Sequence, residues 1–213
     1  RQMCIRDRVL TFNPRYGVSF IGREAFPEHT EEVALRASAD SMIWNQKACI
    51  ASLVHYIEGT DADAAAYAEK LAGLMKKWDE AMPNLVPPAV AGQVQRMRRG
   101  KLAGARWFVN RRKGRFQSAV VCVPGEFDIM DHPMWRVIVV RRVDSLEDCL
   151  KYLHPAVSTV GVFPESRRIR LRDRIAARGV SNIVPLGENE RLVRGAPHDG
   201  MMVLAELVDW KTA

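Results

Sequence analysis

An α/β fold with a mostly parallel sheet and flanking helices is what this sequence predicts, and three observations carry that prediction. From Trp135 onward, short apolar runs alternate with amphipathic stretches in the order WRVIVV, SLEDCLKYL, VSTVGVFP, ESRRIRLRDRIAARG, VSNIVPLG. Strands that alternate with helices imply βαβ crossovers, and crossovers of that kind make a parallel sheet covered by helices. WRVIVV is continuously apolar, as a strand buried on both faces should be. Finally, no repeat or low-complexity linker divides the 213 residues, and a composition of 47% hydrophobic and 27% charged residues suits a single globular core.

Residues 1–8, RQMCIRDR, follow no helical or strand period and resemble read-through of a sequencing adapter. They are expected to be a non-native artefact, so that the native chain runs on upstream of Val9 and Cys4 carries no meaning. The extended apolar VLTF follows, and VSFIG, residues 18–22, is a short strand ended by glycine. A helix is expected from Thr30, whose hydroxyl can cap free amides, with Glu31 and Glu32 in its first turn where the helix dipole favours negative charge. It leads to Cys49. SLVHYIE alternates and Gly59 closes it. From Asp61, DADAAAYAEKLAGLMKKWDEAM places Ala68, Leu71, Leu74, Met75 and Trp78 at helical spacing. Pro83, Pro87 and Pro88 end that helix. Between Gly92 and Gly104 the signal is weak, with QVQRMRRGKL a candidate short helix, and GRFQSAVVCVP reads as a strand. At the end, a turn at Asp199-Gly200 precedes an apolar run compatible with strand or helix.

The charge of +7 raises the question of nucleic acid. The basic clusters are RMRRGK from Arg96, RRKGR from Arg111 and RRIRLRDR from Arg167; the last sits on an amphipathic helix with Leu171 and Ile175 toward the core. A solvated basic face is the simplest reading, with phosphate-rich ligands and nucleic acid as rivals. No apolar run approaches the roughly 20 residues of a membrane span, and no secretory leader is visible. A cytoplasmic setting is expected. The four cysteines form no CxxC and no paired spacing with histidine, which argues against a disulfide framework and against a metal site.

Cys149 falls among Leu146, Leu150 and Leu153 at helical spacing, and Cys122 alternates with Val120 on a strand; both read as core. Cys49 sits at a helix-to-strand junction, where position alone favours a structural role but allows a nucleophile. His55 reads as a packing residue. His198, Asp199 and Gly200 form either an ordinary turn or a site loop. No GxGxxG, P-loop, HExxH or GxSxG motif occurs.

FNPRYGVSFIGREAF, NQKAC after a helix, and the terminal SNIVPLGENERLVRGAPHDG together resemble the C-terminal half of the bacterial long-chain acyl-CoA reductases, the LuxC-type branch of the aldehyde dehydrogenase superfamily. The resemblance runs from about Val9 to the end. It implies an aldehyde-dehydrogenase-like catalytic domain over residues 9–213, with the nucleotide-binding domain mostly upstream and this chain inactive by itself. It also implies that Cys49, in a Q-x-x-C motif with Gln46, is the nucleophile. Acyl-CoA would acylate Cys49, and NADPH (or NADH) would reduce the acyl-enzyme to a fatty aldehyde. Asn13-Pro14-Arg15 occupies the place of a GPK-like turn, with Asn13 where glycine is expected. Thr11 stands where hydrolytic aldehyde dehydrogenases carry a glutamate base, which fits an acyl-enzyme not efficiently hydrolysed. Thr11, Asn13, Gln46, His198, Asp199 and Gly200 are the expected cofactor-binding or site-lining residues. The superfamily's EIFGP motif is missing, with DIMDHP from Asp128 nearby, and Ala51-Ser52 replaces the usual Ser-Pro after the nucleophile.

The resemblance is compatible with an acyl-activating or acyl-transferring partner protein and a homo-oligomer at full length, with no nucleic acid, membrane span or metal. The rival readings are an aldehyde dehydrogenase that oxidises aldehydes, with or without acylation of coenzyme A, a basic nucleic-acid-binding module, and a non-catalytic scaffold.

Overall fold

The computed structural model describes residues 10–191 and 193–208. RQMCIRDR, with Cys4, and the last five residues lie outside the described residues, so the expectation for residues 1–8 stands as it was. Seven strands form one sheet: β1 (Tyr16–Ile21), β2 (Ser52–Glu58), β3 (Arg106–Arg112), β4 (Arg115–Val123), β5 (Val137–Val143), β6 (Val157–Phe163) and β7 (Asn182–Pro185). Their spatial order is β3-β4-β5-β2-β1-β6-β7. Every pairing is parallel except β3 with β4. The mostly parallel α/β fold expected from the alternating pattern is therefore what the chain adopts.

Both faces of the sheet are covered. Helices α1 (Thr30–Met42) and α2 (Asp61–Ala81) lay Val33, Ala37, Tyr67, Leu71 and Met75 against Ile21, Ile57, Val120 and Ile138. On the other face α4 (Glu165–Ala176) and the stretch Leu146–Tyr152 bring Leu171, Ile175, Leu146 and Cys149 onto Val18, Phe20, Val121 and Val139. Successive residues of β5 thus enter opposite cores, which is why WRVIVV could be apolar throughout. Cys149 is a core residue, as its spacing predicted.

Several local expectations are corrected. All seven residues of β2 are buried, so the alternation in SLVHYIE marks buried polar groups and not a wet face. The reading of His55 holds: it lies between the Ser41 hydroxyl at 2.8 Å and the Tyr67 hydroxyl at 2.7 Å, a fully satisfied packing residue. Thr30 does not cap α1: His29 is the capping position, and the Thr30 hydroxyl donates to Pro27 O at 2.7 Å. The real capping box is at α2, where Thr60 and Asp63 satisfy each other's backbone amides. SLEDCLKYL forms a 3-10 helix from Leu146 to Tyr152 instead of an α-helix.

The candidate short helix begins earlier than expected, as α3 (Pro88–Arg99), with Pro88 in the first turn, where its missing N–H costs nothing. Strand β3 carried no readable signal because three of the seven residues in RWFVNRR are arginines. It pairs as an edge strand through the two-residue turn Lys113-Gly114, both with positive φ (49° and 75°), the geometry that favours a tight hairpin. The last apolar run contains a short helix, α5 (Val203–Glu206).

Candidate active site

Cys49 lies in the turn between α1 and β2, at the junction where the sequence placed it. The backbone enters this turn through three consecutive left-handed residues, Trp44, Asn45 and Gln46, at φ 50°, 56° and 64°. Asparagine tolerates that region, whereas tryptophan and glutamine pay of order 1 kcal/mol each, so tertiary contacts must hold them there. The Gln46 side chain accepts from Val137 N at 2.9 Å and donates to Val137 O at 2.8 Å, extending the start of β5 by one side-chain pairing. Arg136 donates from Nε to Asn45 Oδ1 at 2.7 Å. Its Nη1 reaches Asp79 at 3.0 Å and Met82 O at 2.7 Å, a buried ion pair that anchors the turn to α2.

Beyond Gln46, three successive carbonyls of the cysteine turn are each taken. Cys49 O accepts from the Ser158 hydroxyl at 2.5 Å, Ile50 O from Asn189 Nδ2 at 2.8 Å, and Ala51 O from Gly17 N at 2.8 Å. Asn189 is itself fixed by Asp40, whose carboxylate accepts from Gly187 N at 2.7 Å and Asn189 N at 3.0 Å; burial pushes Asp40 up to about 7.

The half-buried Cys49 thiol is pushed up first by burial and then by the Asp199 carboxylate; its own N–H and Arg15 oppose them. Asp199 arrives from the far end of the chain. It stands at φ 50° in a tight turn closed by reciprocal bonds of 2.9 Å between His198 and Met201, with its side chain only 9% exposed. The His198 ring meets Phe12 edge-on at 5.3 Å. Gly200, at φ 83°, packs so closely that a Cβ there would lie 3.1 Å from the Ser181 hydroxyl, which accepts from Arg15 Nη1 at 2.9 Å. His198, Asp199 and Gly200 therefore gather with Arg15 near Cys49. Thr11 and Asn13 are exposed on the extended segment that leads to Arg15, and Gln46 is buried with its amide engaged on β5. Ser158, Ser181, Asn189 and Asp40 had no local signal in the sequence, because each matters only through a partner far along the chain.

All these groups stand at the N-terminal ends of parallel strands: Arg15 before β1, Cys49 before β2, Arg136 before β5, Ser158 on β6 and Ser181 before β7. Open parallel sheets commonly bind ligands at the opposite, C-terminal rim. Here that rim is closed by ion pairs, with buried Glu58 held by Arg23 Nε at 2.9 Å and by Arg167 at 3.3 Å.

A cavity of about 500 Å³ opens between α3 and the crossover that leads to β5, lined by Gln93, Arg96, Met97, Phe127, Asp128 and Asp131. The crossover continues through His132, partly buried, depressed to about 4 by desolvation and with Nε2 unpaired, to Trp135, whose ring lies 3.8 Å from Lys47 Nζ. The donor set, carboxylates beside a guanidinium over an apolar floor, suits the ribose hydroxyls and phosphate of a nucleotide. Among the described residues no group of three or more His, Cys, Asp or Glu side chains could hold a metal, and no helix is long and apolar enough to cross a membrane.

Comparisons with known proteins bear on this arrangement. The profile of the family described as acyl-CoA reductase (LuxC) matches residues 2–210. A long-chain acyl-protein thioester reductase of Photobacterium leiognathi is 24% identical over 207 residues, 95% of this chain and 41% of that protein. One from Vibrio harveyi is 24% identical over 202 residues, 94% of this chain and 41% of that protein. This chain thus spans about two fifths of the length of the curated relatives it matches. Among solved structures, an NADP-dependent glyceraldehyde-3-phosphate dehydrogenase from Bacillus halodurans superposes with a TM-score of 0.64 at 12% identity, covering 86% of this chain and 40% of that one. That likeness shows an aldehyde-dehydrogenase fold. With the family profile matched over nearly its whole length, the chain belongs to the acyl-CoA reductase (LuxC) family.

Proposed function

We propose that the protein containing this chain reduces long-chain fatty acyl thioesters to fatty aldehydes through an acyl group carried on Cys49, with NADPH as reductant. The single observation that carries the reading is the cysteine turn, which commits three consecutive carbonyls to the fold and holds the half-buried Cys49 thiol within reach of the Asp199 and Arg15 charges. A thiolate there attacks the thioester carbonyl carbon, and the Cys49 N–H faces the developing oxyanion. Collapse breaks the bond to the departing thiol and leaves an acyl-cysteine. Asp199, the carboxylate that bears on Cys49, is suited to take the thiol proton and return it to the leaving thiolate. Reduced nicotinamide, when bound, supplies the hydride for the second addition. Cys49 is then released as thiolate when the carbon–sulfur bond of the hemithioacetal breaks.

Within this reading Asp128 and Asp131 would accept from the cofactor's ribose hydroxyls and Arg96 would face its phosphates. Thr11 offers no carboxylate to activate water, which lets the acyl-enzyme persist until it is reduced. The relatives are named for acyl-protein thioesters and the family for acyl-CoA, and both substrates present the same electrophile to Cys49. Cytoplasmic residence and a homo-oligomeric full-length protein belong to the same proposal. The test is intact-mass spectrometry of the full-length protein mixed with palmitoyl-CoA, beside Cys49→Ala. An adduct of acyl mass at Cys49 that leaves as aldehyde on adding NADPH is the expected result; the same adduct in Cys49→Ala, or rapid release as free acid, would overturn it.

A further inference from the structure

Between Ala81 and Gly125 the chain carries nine arginine and lysine residues and no aspartate or glutamate. The whole chain is +7, so everything outside this segment is slightly acidic. The fold gathers the segment at one end of the molecule, as α3 and the hairpin β3–β4, whose outer strand is the edge of the sheet. Arg98, Arg99, Arg111, Arg112, Lys113 and Arg115 are all exposed there. Among the described residues, Lys101 alone within the segment has an ion-pair partner, Asp131 at 2.7 Å.

The other arginine run behaves differently. On α4, four of the five arginines, Arg167, Arg168, Arg170 and Arg172, are each paired with a carboxylate, so most of that cluster is neutralised within the fold. The hairpin even sets Arg112 directly opposite Arg115, a like-charge pair that works against strand pairing. A positive face kept at a cost to the fold points to an external anion. Its extent, a twelve-residue helix beside a seven-residue strand, is on the order of 20 Å, too long for one phosphate group and suited to a macromolecular surface.

We propose that α3 and the β3–β4 hairpin form the docking face for an acidic protein that carries the long-chain acyl group as a thioester; the inference rests on the function proposed above. Charge complementarity supplies encounter and orientation. Two strongly exposed apolar residues beside α3, Leu85 and Met130 (each 86% exposed), offer the contact that a protein surface would bury. The aromatic groups on this face do not serve bases: Trp107 is covered by Arg98 at 5.9 Å and Phe108 by Arg106 at 5.6 Å, so neither ring is free as a stacking platform. Arg96 and Lys101 belong both to this face and to the cavity beside α3, so a docked carrier stands next to the proposed cofactor cleft.

The experiment uses the full-length protein and its triple variant Arg99→Glu, Arg112→Glu, Arg115→Glu, which changes only exposed side chains and keeps a like-charge pair at the hairpin end. Binding of a small acidic acyl carrier protein loaded with a palmitoyl thioester is read by fluorescence anisotropy at low and physiological salt, with palmitoyl-CoA turnover measured beside it. The expected result is wild-type binding that weakens with salt, a loss of at least about tenfold in the variant, and palmitoyl-CoA turnover unchanged. Equal affinity in both proteins, no wild-type binding, an equal loss of carrier binding and palmitoyl-CoA turnover, or tighter charge-dependent binding to duplex DNA or anionic vesicles would each overturn the docking face. Failure of the function proposed above shows itself separately, as absence of acylation at Cys49 while carrier binding persists.

Discussion

Gly17→Ala tests how tightly the cysteine turn is built. Gly17 opens β1 and donates its N–H to Ala51 O at 2.8 Å. A Cβ at this position would sit 2.4 Å from Ile50 O and 3.0 Å from Ile50 C, both backbone atoms that cannot swing aside. Ordinary contact begins at 3.4 Å, so the residue beside Cys49 must retreat by about 1 Å. The strain should cost about 1–3 kcal/mol in unfolding free energy. A 1 Å displacement of a nucleophile from its productive geometry costs about 100-fold in rate. The assay is the rate at which palmitoyl-CoA acylates Cys49 in the full-length protein, with urea unfolding alongside. Gly73→Ala is the control: nothing lies within 4 Å of a Cβ on that glycine of α2, and the substitution should stabilise by about 0.5–1 kcal/mol without touching acylation. Acylation in Gly17→Ala within about twofold of wild type would refute the reasoning, since the turn would then yield where the packing says it cannot.

Asp199→Asn removes an anion that holds the Cys49 thiol up, so the pH profile of iodoacetamide labelling should move to lower pH; Arg15→Ala removes a cation that lowers it and should move the profile higher. A shift of both in one direction would show that neither charge governs the thiol. Arg136→Met leaves Asp79 buried without its cation and releases Asn45, for which urea unfolding should show a loss of about 3–5 kcal/mol. Burial depresses His55 to about 3 from an ordinary 6.5, so the unfolded chain binds the extra proton first; stability from this group is complete above 6.5 and declines as pH falls toward 3. Melting curves from neutral to acid pH should therefore slope less steeply in His55→Gln, and an unchanged slope would exclude His55 as a contributor. Thr60→Ala removes the capping box of α2 and should cost about 1 kcal/mol in thermal unfolding.

The sequence by itself determined what depends on neighbours along the chain. Continuous apolar runs such as WRVIVV specified strands buried on both faces, the spacing of Leu71, Met75 and Trp78 specified α2, and the junction around Cys49 followed from a helix giving way to an extended run. The resemblance carried by NQKAC and the terminal segment pointed to the family that the profile then matched. Local pattern misled where sterics or charge ran against propensity. RWFVNRR pairs as β3 despite its arginines because the Lys113-Gly114 turn closes the hairpin, and Thr30 was displaced from its capping role because Pro27 O took its hydroxyl.

Only the tertiary structure decided what surrounds the thiol. Ser158 on Cys49 O, Asn189 on Ile50 O, Arg136 on Asn45 and Asp199 near the sulfur come from positions 91 to 150 residues away along the chain, and nothing local marks them. The physical reason is the parallel sheet. Each crossover returns the chain to the same rim, so residues just before β1, β2, β5 and β7 and at the start of β6 meet in space although helices separate them in sequence. Periodicity reports which face of an element is buried; which elements share an end is set by strand order, and that order is a property of the packed sheet as a whole.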